Sequence, residues 1–218
     1  MSEVPGRLTT HTECAPPHHR PPRDYPDDLA GDVTTTTGAT LHMRPIRPDD
    51  EERLVNFHQG LSTSSVYRRY FSFHPQLSTA EVERFTQVDY VARLALVVLD
   101  GDCIVAVGRY DRVPHTSEAE VAFIVADQYQ HQGLGLLLLE HLADAALARA
   151  ITTFTAETQA DNRCMINVFE DSGLHCSATI GHDIVSVRCE LGQGDTHRGR
   201  SVTPRASDVA VRAAPAGC

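Results

Sequence analysis

The sequence predicts an α/β domain built on one mixed β-sheet of about six to seven strands flanked by helices. Three observations carry that reading. Residues 120–125 are rich in apolar and β-branched residues, Asp127, Gly133 and Gly135 punctuate the next ten positions, and residues 134–149 have helical length and spacing, so this stretch reads as strand, turn, helix. Residues 94–99 and 103–112 are two apolar β runs around Asp100-Gly101-Asp102, a hairpin signal. Residues 152–158 alternate as a further strand, and strand, helix, strand of this length implies a right-handed crossover with parallel pairing.

The remaining elements are taken in order. Residues 1–28, with Pro16, Pro17, Pro21 and Pro22, lack periodicity and are expected to be a disordered tail; residues 29–191 form the domain, and residues 192–218, rich in Gly, Arg, Ala and Pro, form a second tail. Residues 32–37 and 40–46 read as a threonine-rich hairpin around Gly38. Its second strand ends near Ile46 because Pro45 and Pro48 donate no ladder bond, and Asp49 or Asp50 suits the N-cap of a helix carrying Leu54, Val55, Phe57 and Leu61. Residues 62–73 suggest a second short helix holding Tyr67-Arg68-Arg69-Tyr70-Phe71. That patch can line a substrate cleft or pack through snorkelling Arg stems, and the sequence leaves both open. Ser78-Thr79-Ala80-Glu81 is a capping box opening a third helix to about Val88. Leu134, Leu137, Leu138, Leu142, Ala145 and Leu147 give the long helix an apolar stripe to lay on the sheet. A last helix begins at Asn162 and stops at Gly173, and residues 177–180 and 184–191 supply the final strands.

Composition narrows the function. A chain of 218 residues suits one domain with tails. The formal charge is −10, and residues 38–191 carry 12 Arg against 21 acidic residues, which argues against nucleic-acid binding through phosphates and suits a cationic amine substrate. All 19 basic residues are Arg; a lysine-modifying enzyme would thereby offer itself no target, and a simple arginine bias explains the same fact. The six Cys show no metal-type spacing and no apolar leader precedes the chain, so free thiols and a cytoplasmic protein are expected. No run approaches the ~18 apolar residues of a membrane span. The twelve His are scattered without a His-x-x-x-His pair and read as surface or loop residues, so no metal is expected.

The turn before the long helix carries the chemistry. A glycine-rich turn opening a helix points backbone N–H groups outward, and with the helix dipole these attract an anion such as a pyrophosphate. The two-residue spacing of Gly133 and Gly135 matches neither Gly-x-Gly-x-x-Gly nor a P-loop. Gln130-His131-Gln132-Gly133-Leu134-Gly135 resembles motif A of the GCN5-related N-acetyltransferases, Gln/Arg-x-x-Gly-x-Gly/Ala, and residues 160–174 resemble motif B of the same superfamily. Met43-Arg44-Pro45-Ile46-Arg47-Pro48-Asp49-Asp50, Ser65-Val66-Tyr67-Arg68-Arg69-Tyr70-Phe71, Val88-Asp89-Tyr90 and Asn162-x-x-Met165 are similar to the bacterial Pat-type protein lysine acetyltransferases, over about residues 38–191.

The resemblance implies the acetyltransferase fold, with a splayed parallel strand pair at the acyl-CoA site and acetyl-CoA as cosubstrate. It also implies a lysine-bearing protein as acceptor, an acyl-CoA synthetase above all. Larger Pat-type members add a cyclic-nucleotide-binding or amino-acid-binding domain, for which the first 28 residues are too short and polar. A small-molecule amine acceptor and a non-catalytic acyl-CoA sensor are the alternatives, and the oligomeric state is left open.

Roles can be assigned residue by residue. Lysine ammonium has a reference pKa near ~10.4, so a proton acceptor helps amine attack on a thioester. Glu120, charged within an apolar strand and matching the glutamate of the family's Ala-Glu-Val-Ala-Phe segment, is the candidate base, with burial expected to raise its pKa; Glu118 is the runner-up. By resemblance, the pantetheine arm pairs with main chain at Phe123, Ile124 and Val125, amides from Gln130 to Gly135 hold the pyrophosphate, and Asn162 bonds the arm or caps its helix. No Arg or Lys lies between Asp127 and Leu147, so the phosphates depend on amides and the helix end. Many superfamily members place a Tyr where this chain has Phe169, leaving protonation of the departing thiolate to water or another group. A thiol pKa near ~8.5 makes that leaving group tolerable.

Overall fold

The structure, a computed structural model, describes residues 24–192. A hairpin of β1 (Gly31–Thr34) and β2 (Thr40–Pro45) leads to three helices, α1 (Glu51–Gln59), α2 (Thr63–Tyr70) and α3 (Thr79–Thr86). Then come β3 (Arg93–Asp100), β4 (Cys103–Arg112), β5 (Glu118–Val125), α4 (Leu134–Leu147), β6 (Thr153–Gln159), α5 (Arg163–Asp171), β7 (His175–Ile180) and β8 (Ile184–Glu190). The strands form one sheet in the order β1-β2-β3-β4-β5-β6-β8-β7. It has eight strands rather than six or seven because the threonine-rich hairpin joins it as an edge. Every neighbouring pair is antiparallel except β5–β6, the parallel pair that the crossover through α4 requires.

Both faces of the sheet centre are covered, which is why β3 reads as a continuous apolar run rather than an alternating one. Leu134, Leu138, Leu139 and Leu142 of α4 lie on one face against Leu94, Leu96, Val121 and Phe123. Each such fully buried side chain contributes on the order of 1.5–3 kcal/mol. Gly108 lets α4 come close, since a methyl group there would lie 3.0 Å from Phe123 Cδ1 and 3.1 Å from Leu138 Cβ. The helices α1 to α3 cover the opposite face through Leu54 and Phe57, packed on Ile46, Val97 and Val107.

Four expectations need correction. The tails fall mostly outside the described residues, but Tyr25, expected in the first of them, is packed: its hydroxyl donates to Pro45 O at 2.7 Å and its ring meets Tyr90 edge-on. One aromatic anchor in a polar, proline-rich stretch leaves no periodic signal. Asp50 stands at the N-cap position of α1, as expected, but its side chain makes no capping bond there; it lies fully buried between Arg44 and Arg53 and accepts the Arg47 N–H at 2.8 Å. The cysteines are not all free. Cys176 and Cys189 face each other across β7 and β8 and form a disulfide, and Cys103 is also disulfide-bonded, which removes the ground for reading a reducing compartment from free thiols. Thirteen residues of separation tell nothing about strand register, so no spacing rule could find this pair.

His58, expected on the surface, is the fourth. It is 3% exposed, with neither ring nitrogen hydrogen-bonded among the described residues, and it meets Tyr70 and His74 edge-on. Burial pushes its pKa below 6.5, His74 adds to that, and Glu81 opposes it. The unfolded chain therefore takes up this proton first as pH falls, so the neutral ring's contribution is full above pH ~6.5 and is lost below it. The melting temperature should fall as the pH drops below about 6.5, and more shallowly in His58→Phe. Equal slopes in the two proteins would show that His58 is not the group responsible.

Candidate active site

The ladder between β5 and β6 pairs Glu118 with Thr153, Ala119 with Phe154 and Glu120 with Thr155, and then stops. On its other side β5 stays paired with β4 as far as Val125. The Ala126 N–H bonds Val105 O and the Val113 N–H bonds Glu118 O, both at 2.9 Å, so even-numbered residues of β5 bond to β4. Strand alternation then turns the main-chain groups of Val121, Phe123 and Val125 toward the gap, an edge on which an extended amide chain can add as a strand. Ile124 departs from expectation: its backbone belongs to the β4 ladder, and its side chain lines a cavity under α1 to α3. Alternation allows only every second residue to face the gap.

Beyond Val125 a short turn, Asp127–Tyr129, leads to the start of α4. His131 and Gly133 adopt left-handed φ values of 60° and 82°. The amides of His131, Gln132, Gly133, Leu134 and Gly135 donate to no backbone carbonyl among the described residues. Unpaired amides at a helix N-terminus form an anion cradle. A methyl group on Gly133 would lie 3.0 Å from Thr36 Cγ2, and one on Gly135 would lie 3.0 Å from Val168 Cγ2, so both positions are tightly packed. The β1–β2 turn braces this loop, with the Thr36 N–H donating to Gln132 O at 3.0 Å.

Gln130 is engaged elsewhere. Its N–H donates to Asp127 O at 3.3 Å, and its Nε2 donates to Ser65 Oγ and Val125 O, each at 3.1 Å. Asp127 in turn accepts the Ser62 N–H at 2.9 Å, Ser62 Oγ at 2.6 Å and Ser65 Oγ at 2.9 Å. Burial acts against these bonds on the Asp127 carboxyl, but they outweigh it and hold the pKa below its usual value. The network ties the start of α2 to the loop before α4. Sequence reasoning missed Ser62, Ser65 and Asp127 as a group because more than sixty residues separate the two serines from the aspartate.

Glu120 shares a face with Ala122 and Ile124 and lies opposite Asp111 of β4 and Thr155 of β6, at the point where the strands part. It is exposed, so the burial expected of it is not found. Glu118 accepts a hydrogen bond from Arg188 Nη2 at 2.8 Å, which holds its carboxyl below the ordinary range and leaves it poorly suited to take a proton. Asn162 caps α5 through Oδ1, which accepts the Met165 N–H at 3.3 Å. Phe169 is buried and meets Phe123 edge-on at 6.4 Å, so packing occupies the place of a proton donor. Among the described residues there is no cluster of three potential metal ligands, and no helix is long and apolar enough to cross a membrane.

A parallel strand pair that opens beside an amide-lined helix start is the architecture of an acyl-CoA-binding acetyltransferase domain. The chain belongs to the acetyltransferase (GNAT) family, whose model matches residues 62–174. It is 32% identical over 144 residues to the Acetyltransferase Pat of Mycolicibacterium smegmatis, covering 65% of this chain and 43% of that protein. An acetyltransferase of Pseudomonas aeruginosa is 30% identical over 132 residues, 59% of this chain and 71% of the relative. The crystal structure of the GNAT domain of S. lividans PAT is similar at a TM-score of 0.73 and 38% identity, over 77% of this chain and 99% of that one. The chain thus matches less than half the length of the Mycolicibacterium relative.

Proposed function

We propose that the protein transfers the acetyl group of acetyl-CoA to the side-chain amine of a lysine on another protein, with an acyl-CoA synthetase as the candidate target. The observation that carries the reading is the one-sided edge of β5 ending at five unpaired amides. The pantetheine arm lies along Val121, Phe123 and Val125, and the pyrophosphate rests on the amides of His131, Gln132, Gly133, Leu134 and Gly135. Asn162 stands beside the arm at the start of α5, and Gln130 positions the loop rather than touching phosphate. The lysine nitrogen attacks the thioester carbon, Glu120 takes the proton that the amine loses, and the carbon–sulfur bond breaks. The coenzyme A thiolate leaves and gains its proton from water, since Phe169 offers none.

The acceptor approaches over α2. Tyr67 is 49% exposed there and Phe73, three residues past its end, is 77% exposed, an aromatic rim suited to a protein surface. Phe169 favours one rival, an acyl-CoA sensor without turnover, and the acidic pair Asp111 and Glu120 would also accept a small polyamine. Radiolabelled acetyl-CoA incubated with a cell lysate separates the three. Label in a discrete protein band of acyl-CoA synthetase size is the expected result. Label confined to small molecules overturns the protein substrate, and a melting temperature raised by acetyl-CoA without any label transfer indicates the sensor.

A further inference from the structure

The helix α2 lies against β5 and β6, the two strands that part at the candidate site. It has only eight residues, of which Ser65 and Val66 are the buried ones. So short a helix has little stability of its own, and so little burial holds it weakly. At its far end Tyr70 packs against His58 and His74. Its first turn is tied to the loop before α4, and the tie runs through the hydroxyl of Ser65. Ser65 is buried, so water competes little for that hydroxyl.

The chemistry of the two ends fixes every proton in this tie. A carboxylate only accepts, so Ser62 Oγ and Ser65 Oγ both donate to Asp127 Oδ1, while Oδ2 takes the Ser62 N–H. With its proton directed at Asp127, the Ser65 hydroxyl accepts from Gln130 Nε2 at 3.1 Å. The second Nε2 hydrogen goes to Val125 O, also at 3.1 Å, and a carbonyl too can only accept. Val125 ends β5, and Gln130 runs directly into the amides of residues 131–135. One hydroxyl thus joins the first turn of α2 to the end of the strand and to the amide cradle.

Resting on the reading of that loop as the acyl-CoA cradle, we propose that Ser65 and Asp127 are positioning residues that make the placement of α2 depend on bound acyl-CoA. An anion on the cradle amides fixes the loop, and Gln130 carries that order to Ser65 and so to the first turn of α2. The wall over which the acceptor approaches is then set only when the cofactor is in place.

Two variants break the tie in different ways. Ser65→Ala removes the hydroxyl, and Asp127→Asn keeps the shape but sets an NH₂ group against either the Ser62 N–H or the two hydroxyls. Amide hydrogen exchange is read at residues 66–70 of α2 and at residues 131–135, without acetyl-CoA and at a concentration that saturates each protein. In the unaltered protein acetyl-CoA should slow exchange in both segments, by about 5-fold or more in α2, the lower end of couplings between linked sites. In both variants the slowing at residues 131–135 should persist while the α2 ratio falls to about 1. Ser65→Ala, the milder change, carries the test even if Asp127→Asn does not fold. A role confined to stability would speed α2 exchange in the free variants and leave the acetyl-CoA ratio as it was, and that result overturns the proposal. Slowing at residues 131–135 with none in α2 of the unaltered protein also overturns it and leaves the acyl-CoA reading intact. No slowing at residues 131–135 overturns the acyl-CoA reading and the proposal with it.

Discussion

Glu120→Gln is expected to lower kcat/KM for acetyl transfer by about 10² to 10⁴ while leaving acetyl-CoA affinity nearly unchanged. The reason is position. Glu120 is the last residue of β5 paired with β6, so its side chain stands where the gap opens and the thioester would end. The amide of Gln keeps the shape but accepts no proton. Glu118, on the same face, is held by Arg188 and should show little effect when changed to Gln. Normal activity in Glu120→Gln would pass the role to Asp111, its neighbour across the β4–β5 ladder. Steady-state kinetics beside an acetyl-CoA melting shift distinguishes these cases.

Asp50→Ala should cause the largest loss of stability. Arg44 grips the Asp50 carboxylate in a two-pronged contact, Nη1 to Oδ2 and Nη2 to Oδ1, each 2.7 Å. Arg53 Nη1 approaches Oδ1 at 3.4 Å, and its Nε donates to Asp102 O at 2.9 Å. The cluster joins the end of β2, the start of α1 and the turn between β3 and β4. Removing the carboxylate leaves two buried guanidiniums without their shared anion, a loss of about 3–5 kcal/mol. In a domain of this size that corresponds to a melting temperature lower by about 10 °C. A fall of only a degree or two would mean that water reaches the cluster.

The same cluster shows how far the sequence could be read. Residues 43–50 were recognisable as a Pat-type signature, yet from sequence Asp50 looked like an ordinary N-cap. Its structural part depends on Arg44 and Arg53 arriving from two elements at once. Among the described residues, periodicity and turn chemistry announced each of the α-helices and the parallel crossover, because those signals are local. The glycine turn before α4 was legible for the same reason, being carried by Gly133 and Gly135 in one hexapeptide. Contacts between distant segments left no trace: the Cys176–Cys189 pairing, the Ser62–Asp127 tie and the burial of His58 each depend on strand register or on the packing of several helices. Glu120 is the instructive case. A carboxylate inside an apolar strand suggests burial, but its exposure is set by where the neighbouring strand parts from it.

Amide hydrogen exchange with and without saturating acetyl-CoA tests the central claim most directly. Binding along β5 and on the helix start should slow exchange at Val121, Phe123 and Val125 and at residues 131–135, with little change in β7 and β8. Unchanged exchange at residues 131–135 with acetyl-CoA present at saturation would contradict the account.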